Sequence, residues 1–153
     1  MVATQQEILT ALLFEKEEQF ELICNPPPVE GDVVEEGVEP PKPDLQFRDN
    51  FGQTPLEKAA VLGRIGLLPK LLENESVDVN LADPQGYTSL HKASSWGRIN
   101  AVNCLLDHGA DLGLKTCHGE TARDLAVRYR HEGTVFLLDL TQSLQNFKRS
   151  ITD

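Results

Sequence analysis

A chain of 153 residues is long enough for one domain or one solenoid, and too short for two ordinary enzyme domains. Its 14 Lys and Arg against 24 Asp and Glu leave a formal charge of -10, which repels nucleic acids and anionic membrane surfaces, so neither is an expected partner. The three cysteines show no C-x-x-C spacing, which predicts neither a disulfide framework nor a zinc site and favours a reducing, intracellular compartment.

The first 24 residues predict two short helices. Apolar residues at helical spacing occupy Ile8 to Leu13 and Phe20 to Ile23, and the acidic run Glu15 to Glu18 separates them. These acids also interrupt any signal-peptide core, and no later stretch approaches the roughly 20 apolar residues that span a bilayer. We interpret residues 1–24 as a degenerate first unit, or N-terminal cap, of the repeat described below.

Residues 25–48 form an acidic segment rich in proline. Prolines cluster at both of its ends, and acids such as Glu35 and Glu36 lie between them. Such a composition buries little apolar surface, so the segment is predicted to be an extended insertion that is mobile from residue 25 to residue 44.

From residue 49 onward the chain repeats itself. Windows that begin at Asp49, Asp83 and Thr116 align at offsets of 34 and 33 residues. In each window a glycine supplies the positive φ of a tight turn, a threonine caps the next helix, and a small alanine lets paired helices approach. These residues are Gly52, Gly86 and Gly119, then Thr54, Thr88 and Thr121, then Ala59, Ala93 and Ala126.

Three motifs recur in this register: T-P-L at Thr54 to Leu56, T-S-L-H at Thr88 to His91, and L-L-x-H-G-A-D at Leu105 to Asp111. With these motifs and this period, the chain resembles the ankyrin-repeat family. The resemblance implies an all-α ankyrin-repeat solenoid of stacked helix-turn-helix units joined by short hairpin-like loops. It places repeats at 49–82 and 83–115, and an atypical repeat with a C-terminal capping helix at 116–153.

The last window departs from the pattern in ways that favour a terminal cap. Arg123 replaces the leucine of the other windows, and Arg130 replaces a glycine. An amphipathic tail through Leu144, Phe147 and Ile151 follows. Terminal repeats of a solenoid need one polar outer face, which these arginines would provide.

No catalytic or cofactor-binding motif occurs in the sequence, so neither an enzyme, a cofactor nor a metal site is expected. His91 could act as a general base, but in the T-x-L-H position the family resemblance implies a structural histidine that ties adjacent repeats together. Cys117 and His118 could suggest a metal pair, but neighbours on a loop tip are more simply exposed. Cys24 and Cys104 lie at apolar helical positions and are predicted to be small core residues.

Aromatic residues concentrate at the positions that the resemblance places on the concave face and loop tips. The predicted partner-binding residues are Phe51, Gln53, Leu62, Gln85, Tyr87, Trp96, His118, Glu120, Arg128 and Tyr129. Trp, Tyr and Arg are enriched among interface hot spots, and Tyr87 and Trp96, in the most central repeat, are expected to contribute most to binding. The alternative is that Trp96 and Tyr129 only cover the inner helix of the neighbouring repeat.

These observations predict a non-catalytic module, monomeric, that binds a partner protein through its concave face. The surplus of acids favours a basic partner surface. A regulatory subunit that inhibits an enzyme by occlusion is the alternative, and a small enzyme on a familiar scaffold is a third reading without a catalytic constellation to support it. The resemblance implies a cytoplasmic, cytoskeleton-associated location. The sequence leaves open whether the chain is a piece of a longer protein.

Overall fold

The computed structural model describes residues 4–14, 16–24 and 43–152. Within these ranges there are eight helices and no strand. The helices are α1 (Gln5–Leu13), α2 (Glu17–Cys24), α3 (Pro55–Leu62), α4 (Leu67–Leu72), α5 (Ser89–Ser95), α6 (Ile99–Asp107), α7 (Ala122–Arg128) and α8 (Glu132–Thr152). The all-α prediction is confirmed, and six of the helices follow residue 49. The stretch predicted to be mobile lies outside the described residues, apart from Pro43 and Asp44.

The helices pack as successive pairs that stack on one another. Each odd-numbered helix contacts the even-numbered helix that follows it. The odd-numbered helices α1, α3, α5 and α7 also contact one another in order, and so do the even-numbered helices. The result is a two-layer stack of four helix pairs, with an inner layer of odd-numbered helices and an outer layer of even-numbered ones.

The inner helices start and end at equivalent residues. Thr54, Thr88 and Thr121 each accept a hydrogen bond from the backbone N–H three residues later, which satisfies a donor that the first helical turn leaves free. Just beyond the inner helices, Gly63, Gly97 and Arg130 adopt φ values of 69°, 63° and 60°. A side chain in this left-handed conformation is strained by roughly 1 kcal/mol, so the replacement of glycine by arginine in the last unit has a local cost.

A column of leucines in the outer layer joins the units into one core. Leu71, Leu105 and Leu138 occupy the same position in three successive outer helices, and all three are buried. The end of the acidic segment also contributes to this core, which corrects the prediction of little burial for the part that the structure describes, residues 43–48. Leu45 and Phe47 are buried, whereas the intervening Gln46 is exposed. Apolar residues that alternate along an extended chain can pack on one side even where the average composition is polar.

The first helix pair is bonded to the stack in the same way as the later pairs. Shortly after α3, α5 and α7, the residue at one equivalent position of the repeat donates a side-chain hydrogen bond. The acceptor is a backbone carbonyl near the end of the inner helix of the previous pair. These 2.9 Å contacts join Arg64 to Leu13, Arg98 to Val61 and His131 to Ser95. We therefore keep the interpretation of α1 and α2 as the first repeat.

One helix boundary and the contribution of the C-terminal helix differ from the sequence prediction. The acidic run does not separate the first two helices throughout, because α2 begins at Glu17 and both Glu17 and Glu18 lie in its first turn. Acids at that end of a helix interact favourably with its dipole. At the other end of the chain, α8 buries only Thr134 and Leu138, both in its first half, so the apolar residues of the tail do not close the stack.

Candidate protein-binding face

The turns that precede the inner helices are built alike. In each, one polar side chain accepts hydrogen bonds from the backbone N–H groups two and four residues later, as in an Asx or ST turn. Asp49 accepts from Phe51 and Gln53, both at 2.9 Å, and Asp83 accepts from Gln85 at 3.0 Å and Tyr87 at 2.8 Å. Thr116 accepts from His118 at 3.3 Å and Glu120 at 3.4 Å. These turns fix the backbone of six predicted partner-binding residues.

The ten predicted residues form rows across neighbouring repeats, which we call the groove face. The turn tips Phe51, Gln85 and His118 are exposed, and the residues just before the helix caps, Gln53, Tyr87 and Glu120, are half-buried. The third row lies where the inner helices end and consists of Leu62, Trp96 and Tyr129, with the exposed Arg128 beside it. Since α3, α5 and α7 stack directly, equivalent residues in each row lie on adjacent units.

Phe51, Trp96 and Tyr129 are the exposed aromatic residues of the groove face. Phe51 is 84% exposed, Trp96 59% and Tyr129 53%. Most of the Trp96 and Tyr129 surface is therefore not used to cover a neighbouring helix. Tyr87 differs, because its ring packs edge-on against His91 with centroids 6.2 Å apart. Part of the Tyr87 side chain therefore stabilises its own repeat.

The acids of the groove face and of the turns that support it are paired with cations. Asp49 bonds to Lys58, Asp83 lies 3.1 Å from Lys92, and Glu120 bonds to Arg128. Burial acts to raise the pKa of Asp49, but Lys58 and the turn N–H groups outweigh it and lower that pKa. Local charge on this face is therefore largely balanced, and the acidic excess of the chain lies elsewhere.

Lys58 also contacts an aromatic ring of the groove face. Its ammonium lies 5.3 Å from the centroid of the Phe51 ring, within the range of a cation–π interaction. Lys58 thereby links the carboxylate that builds the first turn to the aromatic side chain at the tip of that turn.

The comparisons with known proteins agree with the repeat geometry. The family model described as ankyrin repeats (3 copies) matches residues 1–116 and 78–146. The chain belongs to the ankyrin-repeat family. Members of this family generally act as protein–protein interaction modules and are generally not catalytic. No curated protein matches the chain.

His91 has the structural role that the ankyrin motif implied. Its Nδ1 accepts the Thr88 N–H at 3.2 Å, which closes a capping box. Its Nε2 therefore donates to the Leu114 carbonyl at 3.1 Å, two residues before the next repeat begins. The ring is buried, and it is the neutral form that makes both bonds. Desolvation by burial lowers the pKa of His91, although backbone hydrogen bonds with Glu120 and Leu114 and the charge of Asp83 partly offset it.

The lowered pKa of His91 predicts a loss of stability in mild acid. Because the pKa of His91 is lower in the folded state than the unfolded value of about 6.5, the unfolded chain binds the proton more readily. The contribution of His91 to stability is therefore fully present above that pH and decreases as the pH falls below it. We expect the urea midpoint to decrease between about pH 7.5 and about pH 5.

A matched variant isolates the His91 contribution. His91→Gln retains a side chain that can cap Thr88 but does not titrate, so its pH dependence should be smaller than that of the wild type. Asp124 has a pKa lowered by the N–H and hydroxyl of Thr121, and its contribution is lost only below about pH 3.9, outside this window. Identical pH profiles for the two proteins would contradict the assignment.

A buried ion network joins the repeats at 49–82 and 83–115 and was not anticipated from the sequence. Glu57 occupies the register of His91 and is fully buried. Its carboxylate accepts from Arg48 at 3.2 Å and from Lys92 of the next repeat at 2.6 Å. Because Lys92 also pairs with Asp83, the network positions the turn that presents Gln85 and Tyr87. The available signal was an acid at the repeat position that His91 occupies in the following unit.

The cysteines and the other histidines form no evident chemical site. Cys117 and His118 are both exposed at a turn tip. Cys24 and Cys104 are half-buried against the core, and burial raises the pKa of the Cys24 thiol to about 11, which makes it a poor nucleophile. No cluster of three or more potential metal-ligating side chains occurs among the described residues. Within the same ranges, none of the helices is both long enough and apolar enough to cross a bilayer.

Proposed function

We propose that the groove face binds a partner protein. The observation that supports this is the exposure of Trp96 and Tyr129 at equivalent positions on two adjacent inner helices. Large amphipathic rings held at the ends of packed helices bury much surface on binding and lose little side-chain entropy. Phe51 extends the aromatic surface to the first turn of the stack.

The chemistry of the face defines the kind of partner that fits it. An apolar or aromatic side chain of the partner would lie against Trp96 and Tyr129, and the exposed turn tips Gln85 and His118 would exchange hydrogen bonds with its polar rim. Because the acids of the face are already paired, they add little to affinity at contact distance. The net charge of -10 instead attracts a basic partner surface over longer distances, so association should slow as salt is raised.

Occlusion of an enzyme is the second form that this function can take. It uses the same face and differs only in the identity of the partner, so an activity assay on the captured partner distinguishes it from scaffolding. We propose a cytoplasmic location, because the three free thiols suit a reducing compartment, and cytoskeletal association as what the family resemblance implies.

Binding should depend on the two exposed rings of the inner helices. The double variant Trp96→Ala, Tyr129→Ala should lose about 2 kcal/mol or more of binding free energy, or about 30-fold in affinity, because both hot-spot side chains are truncated. The test is quantitative mass spectrometry of proteins captured from a lysate by the wild type and by the variant. The affinity of each recovered partner is then measured with purified proteins.

The matched control removes two exposed aromatic side chains from another surface. Phe136 and Phe147 lie on α8 and are exposed to a similar extent. Capture should survive Phe136→Ala, Phe147→Ala and fail with the groove variant, while circular dichroism shows both to be folded. Undiminished affinity of the folded Trp96, Tyr129 variant for every partner would contradict the proposal.

A further inference from the structure

One face of α8 carries a stripe of exposed apolar side chains. They recur every three or four residues, which places them on the same side of the helix. The stripe consists of Phe136 (70% exposed), Leu140 (48%), Leu144 (53%), Phe147 (64%) and Ile151 (66%). We call it the α8 stripe.

The second half of α8 extends beyond the support of the stack. This helix has 21 residues, whereas the preceding outer helix α6 has 9. Its buried residues are Thr134 and Leu138, and among the described residues after Thr141 only Gln145 is even half-buried. A helical segment of roughly ten residues is marginal in water without tertiary contacts, and an uncovered apolar stripe makes it an interaction surface.

The spacing of the apolar residues in the α8 stripe is typical of packing against another helix. Leu140, Leu144, Phe147 and Ile151 follow one another at intervals of four, three and four residues, the a and d pattern of a helix–helix seam. Thr141, Ser143 and Ser150 flank the seam and are small and uncharged, and Lys148 is the one charged flanking residue. Such flanks permit the close approach of a second helix with the same sequence.

Charge also favours a second copy at this place. Two molecules that each carry a net charge of -10 repel one another over most of their surfaces. The segment from Leu140 to Thr152 contains no Asp or Glu and carries Lys148 and Arg149, so acidic repulsion is weakest there. An antiparallel arrangement would additionally keep the two acidic stacks at opposite ends of the helix pair.

We propose that two copies of the chain pair through the α8 stripe. With each large apolar side chain contributing on the order of 100 Å², the contact would bury about 1,000 Å² in total, at the low end for specific interfaces. The dimer should therefore be weak, with a dissociation constant in the micromolar range. This surface lies on the last outer helix and does not include any groove-face residue.

Sedimentation equilibrium of the purified full chain tests the pairing. Between about 5 and about 200 µM protein, the wild-type mass should rise from that of one copy toward that of two. Leu144→Glu, which places a charge in the middle of the stripe, should remain at one copy throughout. Gln142→Glu adds the same charge on the opposite face of α8 and should behave like the wild type.

The outcomes separate this proposal from the groove-face function. A wild type that remains monomeric at the highest concentration, as expected from the sequence, would overturn the pairing, and so would a dimer that persists in Leu144→Glu. Circular dichroism checks that each variant is folded. The Trp96→Ala, Tyr129→Ala variant should dimerise normally, so failure of one proposal leaves the other open to its own test.

Discussion

Leu105→Ala is expected to lower the free energy of unfolding by about 2 to 5 kcal/mol. Leu105 is completely buried in α6, a helix that contacts α4, α5 and α8. Truncation removes apolar contacts and leaves a cavity that three neighbouring helices cannot all move to fill. Urea unfolding monitored by far-UV circular dichroism measures the change.

The control for Leu105 makes the same chemical change at an exposed site. Leu22 on α2 is more than half exposed, and Leu22→Ala should alter the free energy of unfolding by no more than about 0.5 kcal/mol. Equal urea midpoints for Leu105→Ala and the wild type would show that the register assigned to the outer helices is wrong.

Lys92→Met is expected to cost about 3 kcal/mol, because it removes one partner of a buried ion pair. The fully buried carboxylate of Glu57 would retain only Arg48, which is itself partly exposed, and Asp83 would lose its cation as well. The methionine can still fill most of the space of the lysine stem, so the loss reports mainly on the uncompensated charge. The same unfolding experiment measures it.

A double-mutant cycle distinguishes lost charge pairing from lost packing. Glu57→Gln in the Lys92→Met background replaces the buried carboxylate by a neutral amide, so the double variant should be more stable than Lys92→Met alone. Glu57→Gln could instead lower the free energy of unfolding equally in the wild type and in the Lys92→Met background. The two side chains would then not be coupled, and the network would not hold the repeats together.

Features set by contacts within a few residues could be predicted from the sequence. The caps at Thr54, Thr88 and Thr121 and the role of His91 follow from spacings of three residues, which stay the same wherever the repeat occurs. The leucine column of the outer layer follows from the repeat offset, because equivalent positions of a solenoid face equivalent neighbours.

Features that depend on a neighbouring repeat were missed or misjudged. In the sequence, Glu57 counts only as one of the surplus acids. In the structure, its partner Lys92, 35 residues later, pairs with it in the core. Leu45 and Phe47 were grouped with the prolines around them, because average composition hides an alternating pattern. In the tail, helical spacing predicted an amphipathic helix correctly but could not show that nothing in the described stack covers it.

The groove face illustrates the same limit. Its ten residues were chosen because the ankyrin resemblance places those repeat positions on the concave face, and the repeat offset aligns them in rows. The exposure of each side chain could not be predicted, because it depends on packing against other residues. Tyr87 packs its ring edge-on against His91, whereas Trp96 and Tyr129 remain mostly exposed. Of the two residues expected to contribute most, Trp96 is therefore the clearer probe of binding.

Site-specific photo-crosslinking tests the groove-face proposal most directly. A photoreactive phenylalanine analogue is introduced in place of Trp96, Tyr129 or the exposed Asn103 on the outer helix α6, and each protein is crosslinked in lysate. Positions 96 and 129 should trap the same partner protein, and position 103 should not. Equal trapping from all three positions, or trapping from position 103 alone, would contradict binding through the groove face.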